Sequence, residues 1–472
     1  MSKRARMSLA SLSGAAKSNI IQSLGTLAKN CNDLFCCSGE IDKPATIVYK
    51  INELWNAAYF PSDNEDAMLS GLMEASSLAS FGVGGETVTD VTYRDARKLE
   101  PENFLTSIQL SGMSILPLVI KMLVPNMRTI RAELYKLNIY GPGGHFKPHV
   151  DTPRSADMFG SLVVCLPTRF TGGSLVLRHR KQEVIYDWSS TPDHPARTIK
   201  WAAFFSNIEH EILPVTSGHR VTLTYNLYRE GSEMLVPALS LSSPETTAFK
   251  KFFIGALSNP HFKRTGGILG FFCQHSYVFE SLNDQKLLPS MLKGGDYSVF
   301  VDIKSLGIPI VVKPYLRGFD DDYYVLKKFN PIEFGNNYDC ENDGWCSKDI
   351  MLDVFGDDII EGCEIEWCQM KEQHSHWKPA GAVSIYGNEP RLDSYYQAAA
   401  IYVGVPKWGK CRQKLACRTE EGNAGNEGDK DEVMEEGDKK SELDDGNEDG
   451  HSDEADNDTV FMKIFGEKCS HY

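Results

Sequence analysis

The segment Tyr140-Gly-Pro-Gly-Gly-His-Phe-Lys-Pro-His149-Val-Asp151 sets an imidazole and a carboxylate two residues apart. Side chains i and i+2 of a strand point to one face, so His149 and Asp151 stand side by side. His210, at the start of a later strand, supplies a third ligand. Two histidines and one carboxylate hold a divalent metal and leave three positions open, a set suited to non-haem Fe(II) and O2 chemistry. Two of those positions take a bidentate 2-oxo acid and one takes O2. Arg220 stands on the next strand. A guanidinium is a planar fork that pairs bidentately with a carboxylate, which fits the distal carboxylate of 2-oxoglutarate. Thr222 and Thr224 alternate onto the same face and add hydroxyl donors.

These side chains converge only if β structure brings them together. From Ala132 onward short apolar segments alternate with turns: Ala132–Tyr140, Ser161–Leu166, Ser174–Arg178, Glu183–Trp188, Ile199–Phe205, His210–Val215 and His219–Tyr228. Several are rich in Val, Thr, Tyr, Phe or Trp, and Gly172-Gly173 and Ser217-Gly218 punctuate them. This spacing predicts a sandwich or jelly roll. The predicted helices, one near Ser18–Ala28 and a buried one over Met113–Leu123, lie upstream, which disfavours a parallel doubly wound sheet. The expected class is α+β: a double-stranded β-helix core with flanking helices, a second mixed domain and a disordered acidic tail. Gly82-Val83-Gly84-Gly85 reads as a turn, because the Gly-Lys-Ser/Thr of a phosphate loop does not follow it.

The expected organisation is a basic arm and helix over 1–34, the oxygenase-type β domain over 35–230, a mixed domain over 231–410 and an acidic tail over 411–472. In the mixed domain the candidate strands are Ile268–Phe272, Tyr297–Asp302, Ile308–Val312 and Ala398–Val403. The net charge of −15 belongs to one stretch: Glu420 to Asp458 holds eighteen acids and three Lys, and the rest of the 472 residues balances 46 acids against 46 bases. The body therefore shows no bias towards nucleic acid or anionic membrane. No apolar run is long enough to span a bilayer. Twelve cysteines with no secretory leader predict a reducing intracellular compartment, cytoplasmic or nuclear. The acid-free, basic N-terminus also has transit-peptide composition, which leaves mitochondrial targeting as the less favoured alternative to a flexible basic arm.

Ala132–Arg154 (AELYKLNIYGPGGHFKPHVDTPR), Phe159–Leu175 (FGSLVVCLPTRFTGGSL) and Ile199–Tyr228 (IKWAAFFSNIEHEILPVTSGHRVTLTYNLY) resemble the prolyl 4-hydroxylase-type 2-oxoglutarate/Fe(II)-dependent dioxygenase domain, in the variety found in an intracellular, fungal-type group. The resemblance implies that His149, Asp151 and His210 are the iron ligands and that Arg220 binds the cosubstrate's 5-carboxylate. It implies that Tyr140 hydrogen-bonds the cosubstrate, with Thr222 beside it. Cys165 stands where the family has a second tyrosine. The His-to-Arg spacing is one residue longer than in the hypoxia-type enzymes, so His219 competes with Arg220 for the inward position. Arg220 is preferred because Val221 and Leu223 then face the core. The implied reaction converts 2-oxoglutarate and O2 to succinate and CO2 while hydroxylating a C–H bond, prolyl by analogy, with ascorbate as an optional reductant. A protein or peptide is the expected substrate. The alternative is a catalytically silent scaffold whose acidic tail recruits basic partners.

Other residues have plainer readings. Glu211 reads as a supporting or surface residue, His145 as a turn histidine, and Trp201 and Phe204 as barrel filling. Arg154 divides evenly between substrate contact and turn. Cys340, Cys346, Cys363 and Cys368 with His374 and His376 are spaced too loosely for a usual zinc site, and Cys31, Cys36 and Cys37 read as ordinary thiols. His275, Tyr386-Gly-Asn-Glu389 and Tyr395-Tyr396 resemble recurrent features of the same protein group. They fit a domain for substrate or partner contact, or a degenerate second jelly roll.

Overall fold

The computed structural model describes residues 14–31, 34–83, 86–190, 197–230, 244–278, 282–317, 323–325, 365–369, 386–387, 396–409, 412–413 and 464–465. Two facing sheets form the first core. The larger runs Cys36–Ile41, Ile199–Phe205, Met158–Cys165, Arg220–Glu230, Thr129–Tyr140, Arg97–Leu99, Ser77–Leu78. The smaller runs Gln182–Tyr186, Leu175–His179, Glu209–Ile212, His145–His149, Arg94–Asp95. Pairing is antiparallel throughout, and the two sheets make a double-stranded β-helix.

Burial explains the strand patterns. Every residue of Met158–Cys165 is buried, as a central strand covered on both faces requires. Thr129–Tyr140 pairs with Arg220–Glu230 along its whole length, with one irregularity between Leu134 and Lys136, and ends with Tyr140 opposite Arg220. Helix Ile115–Leu123 buries Ile115, Val119 and Leu123, an i, i+4, i+8 stripe, in the same core as Leu137, Leu162, Val164 and Leu223. A turn of 3-10 helix, Leu110–Met113, precedes it where the sequence predicts its first residue.

Three results differ from the sequence reading. Cys36–Ile41 joins the large sheet as an edge strand, and Ala45–Ile51, Leu54–Phe60 and Phe104–Thr106 form a small sheet of their own, in a region the sequence left unassigned. Tyr297–Asp302 is helical, within Gly294–Lys304. Its Val, Phe and Tyr suggest a strand, but nearly every position is buried, so no single face is selected and propensity gives way to packing. Trp201 and Phe204 both are buried, yet their parity separates them: only Phe204 reaches His210, with ring centroids 4.8 Å apart.

The second core surrounds a sheet ordered Tyr323–Val325, Ile310–Arg317, Ala399–Val405, Gly267–Phe272, Ile365–Trp367. Helix Gly14–Lys29 packs here, not on the first core: Ile21, Leu24 and Ala28 meet Phe249, Phe253 and Leu257. Gly25 permits the approach, because a Cβ there would stand 1.7 Å from the Cys368 carbonyl oxygen. The acidic stretch from Glu420 to Asp458 lies outside the described residues, but residues on either side of it are placed. Arg412 is fully buried and donates to the carbonyls of Leu257, Asn259, Phe262 and Lys263. Ile464 packs with Ile268, Phe272, Tyr315 and Tyr402. Among the described residues, no helix is long and apolar enough to cross a membrane.

Candidate active site

The small sheet brings the two histidines together. His149 ends strand His145–His149, His210 lies in Glu209–Ile212, and the two are direct cross-strand partners. Their rings stand 4.2 Å apart. Asp151 lies beyond the strand end, so strand alternation alone does not place it. Ser161, on the facing sheet, donates its hydroxyl hydrogen to Asp151 Oδ2. Asp151 Oδ1 then sits 3.7 Å from His210 Nε2, and one donor atom from each of the three side chains falls within 4.8 Å of the others.

The tautomers follow from the backbone. His149 Nδ1 is 2.9 Å from the Lys147 carbonyl oxygen and His210 Nδ1 is 3.0 Å from that of Ile208. A carbonyl only accepts, so each Nδ1 carries a hydrogen and each Nε2 is the nitrogen left to face a ligand. Burial, reinforced by His210 and then Arg94, holds His149 well below the usual imidazole range. A neutral imidazole is the ligating form. Phe146 stacks on His149 at 3.5 Å, and the Arg94 guanidinium lies 4.4 Å above the other ring centroid of that stack, Phe146.

Arg220 is 1% exposed, opposite Tyr140 on the neighbouring strand. Its guanidinium carbon lies 5.5 Å from the ring centroids of both Tyr140 and Trp188. Its Nε and Nη2 have no hydrogen-bond partner among the described residues. Buried donors left open are costly, and two open donors of a guanidinium fork match one carboxylate. These orphaned atoms, with the two free Nε2 positions and the buried carboxylate, fit an Fe(II)–2-oxo acid pair. His219 is only half-buried, against Gly141. Thr222 is buried opposite Asn138 and Cys165. Thr224 is half-buried and accepts from Asn138 Nδ2 at 3.2 Å. Burial pushes the Cys165 thiol up, against the pull of Arg220 and Lys200. Next to it, a crevice lined by Thr168, Trp188, Ser190, Thr198 and Lys200 opens in the barrel wall.

Residues 135–228 match the family model described as the 2OG-Fe(II) oxygenase superfamily. This stretch is a 2OG-Fe(II) oxygenase domain. Among solved structures, a Pseudomonas putida prolyl-4-hydroxylase is 16% identical with a TM-score of 0.25, covering 46% of this chain and 100% of that one. A Trichoplax adhaerens prolyl hydroxylase, in complex with a hypoxia inducible factor oxygen degradation domain peptide fragment, is 15% identical with a TM-score of 0.26, covering 46% and 94%. The viral collagen prolyl hydroxylase from Paramecium Bursaria Chlorella virus-1 is 13% identical with a TM-score of 0.20, covering 30% and 82%. No curated protein matches the sequence.

Around the oxygenase triad, the structure adds residues the sequence did not single out. Ser161 sits inside an apolar strand, and Arg94 and Asn138, joined by an Nη2–Oδ1 bond of 2.9 Å, come from separate strands. Only the alternation of Ser161 with Val163 and Cys165 gave a hint of its inward face. Glu211 is not with the metal ligands; it accepts from Arg178. His145 is held between the Gly143 and Thr92 carbonyls at 2.9 and 3.2 Å. Arg154 lies 4.6 Å from the Tyr135 ring. Among the described residues the triad is the one cluster able to hold a metal. Cys340, Cys346, Cys363, His374 and His376 lie outside the described residues. Cys31, Cys36, Cys37 and Cys368 are buried cysteines outside any disulfide.

Proposed function

We propose that the protein is an Fe(II)- and 2-oxoglutarate-dependent dioxygenase that hydroxylates a protein side chain, prolyl by analogy, with release of succinate and CO2. The observation that carries the reading is the pairing of the His149–Asp151–His210 cluster with the unsatisfied Arg220 guanidinium across one barrel interior. Iron bound there supplies the oxidising chemistry, coupling decarboxylation of the 2-oxo acid to oxygen insertion into a C–H bond. The chain's own residues do the rest. His149 and His210 present their Nε2 atoms, and Ser161 aims the Asp151 carboxylate. Arg220 fixes the far carboxylate of the cosubstrate, with Tyr140 and Thr222 on the wall beside it. Apolar packing by Phe146 and Phe204 excludes water from the imidazoles. A reducing intracellular compartment agrees with the free thiols among the described cysteines.

The test is anaerobic titration with Fe(II) and 2-oxoglutarate, read by the visible charge-transfer band of the chelate, followed by succinate formation in air. Asp151→Ala is expected to abolish metal uptake. Arg220→Leu is expected to keep metal uptake but to raise the 2-oxoglutarate requirement by about 10- to 100-fold, the worth of a charged hydrogen-bond pair. A folded parent protein that takes up neither metal nor 2-oxoglutarate sinks the enzyme reading and leaves the scaffold. Mass spectrometry of co-purifying proteins, comparing the parent with His149→Ala for single-oxygen additions, identifies the substrate.

A further inference from the structure

The turn Ser206–Asn207–Ile208 joins strand Ile199–Phe205 to the strand of His210. Its Ile208 carbonyl accepts the His210 Nδ1 hydrogen, so the position of the turn sets the aim of His210 Nε2. From the barrel side, Ser206 N donates to Phe159 O at 3.0 Å and Ile208 N to Phe205 O at 3.0 Å. The other side of the turn faces the second core. There Asn207 Oδ1 accepts from Lys293 Nζ at 2.9 Å, and Asn207 Nδ2 lies 3.5 Å from His275 Nδ1.

The groups that hold Asn207 are themselves fixed. Lys293 Nζ also donates to the Ser276 carbonyl at 3.1 Å. The Asp296 carboxylate accepts from Gln274 N at 2.6 Å, His275 N at 2.9 Å and Tyr277 OH at 2.7 Å. The His275 ring stacks on His179 at 4.5 Å with 8° between planes, and meets Phe205 edge-on at 4.9 Å. Lys293 is 3% exposed, and its burial pushes the amine well below the ordinary lysine range. Burying an amine costs stability, and an apolar side chain of similar length fills such a site without that cost. What the lysine adds is a fixed donor on the turn.

We propose that Lys293 is a positioning residue for the metal centre: by holding Asn207 it fixes the turn that aims His210, and it couples metal affinity to the docking of the second core. The proposal rests on the iron reading of the triad. Its test is a calorimetric titration of the full chain with Co(II) alone, alongside thermal melts of the metal-free proteins. Lys293→Met and Asn207→Leu are expected to weaken Co(II) binding about tenfold, the usual scale for an outer partner of a ligand. The Lys293→Met protein is expected to melt no lower than the parent. Asn207→Asp keeps an acceptor for the amine and is expected to retain the parent's affinity. Asn126→Ala removes a different contact between the cores, Nδ2 to Ser290 O at 3.2 Å, and is expected to leave affinity unchanged. Parent-like Co(II) binding by Lys293→Met and Asn207→Leu overturns the proposal, and so does equal weakening by Asn126→Ala. A parent that binds no Co(II) overturns the iron reading, and this proposal with it.

Discussion

Asp302 shows what an ionisable group does when the fold gives it too little. Its residue is 8% exposed, its Oδ2 has no hydrogen-bond partner among the described residues, and burial raises its carboxyl to about 7. The folded chain thus keeps a proton that the unfolded chain, at 3.8, has released. Stability falls as pH rises through that window, and the full penalty is present above it. Asp302→Asn is therefore expected to raise the melting temperature at pH 8 and to leave it unchanged near pH 4. A gain that is larger in acid than in base rules out this account. Arg220 makes the contrast. Its open donors are also costly, but they sit where a carboxylate can close them. The sequence exposed Arg220 because a basic residue stood on a strand of β-branched neighbours. It hid Ser161, since a serine among Leu and Val carries no mark of its partner ten residues away.

At the level of elements, strand Ile199–Phe205 was legible to the residue, because a buried apolar run between turns has few other uses. Helix Gly294–Lys304 was not, since burial on all sides erases the period that separates helix from strand. The Cys36–Ile41 strand escaped for a different reason: CCSGEI has little alternation, and its register is set by Ile199–Phe205, far along the chain. The turn before strand Leu175–His179 carries a constraint that the Gly-Gly pair announced. Gly173 has φ +65°, and a Cβ there would lie 2.8 Å from Val215 Cγ2 and 3.2 Å from Arg220 Cδ. Gly173→Ala is expected to cost about 1 kcal/mol from the backbone alone. It is also expected to raise the KM for 2-oxoglutarate several-fold with little change in kcat, measured by steady-state succinate release. An unchanged KM separates the turn from the clamp.

For the molecule as a whole, strands of both cores were readable from local pattern, Ile268–Phe272 and Ala398–Val403 of the second among them, but the packing of distant segments on one another was not. The N-terminal helix, Gly14–Lys29, shows why: nothing within it names Phe249 or Cys368 as its neighbours, and only the fold puts them beside it. Contacts of such large sequence separation leave no trace in periodicity. They also tie the two cores together, through Arg229 Nη2 to Met291 O at 2.7 Å and Asn126 to Ser290, so that the barrel and its companion share a boundary built of polar bonds.

The placement of Arg412 and Ile464 has a practical result for anyone who trims this chain. A stop codon after Gly409 looks harmless, yet it would pull a cationic plug from five carbonyls and strip an aliphatic cover from Ile268, Phe272 and Tyr402. Ending the chain after Gly409 is expected to give aggregation-prone protein on gel filtration. Excising 420–458 while keeping both flanks is expected to give a monodisperse product that melts like the parent. Arg412 and Ile464 are each seated in the second core, so the chain between them can be shortened but its hem cannot be cut away.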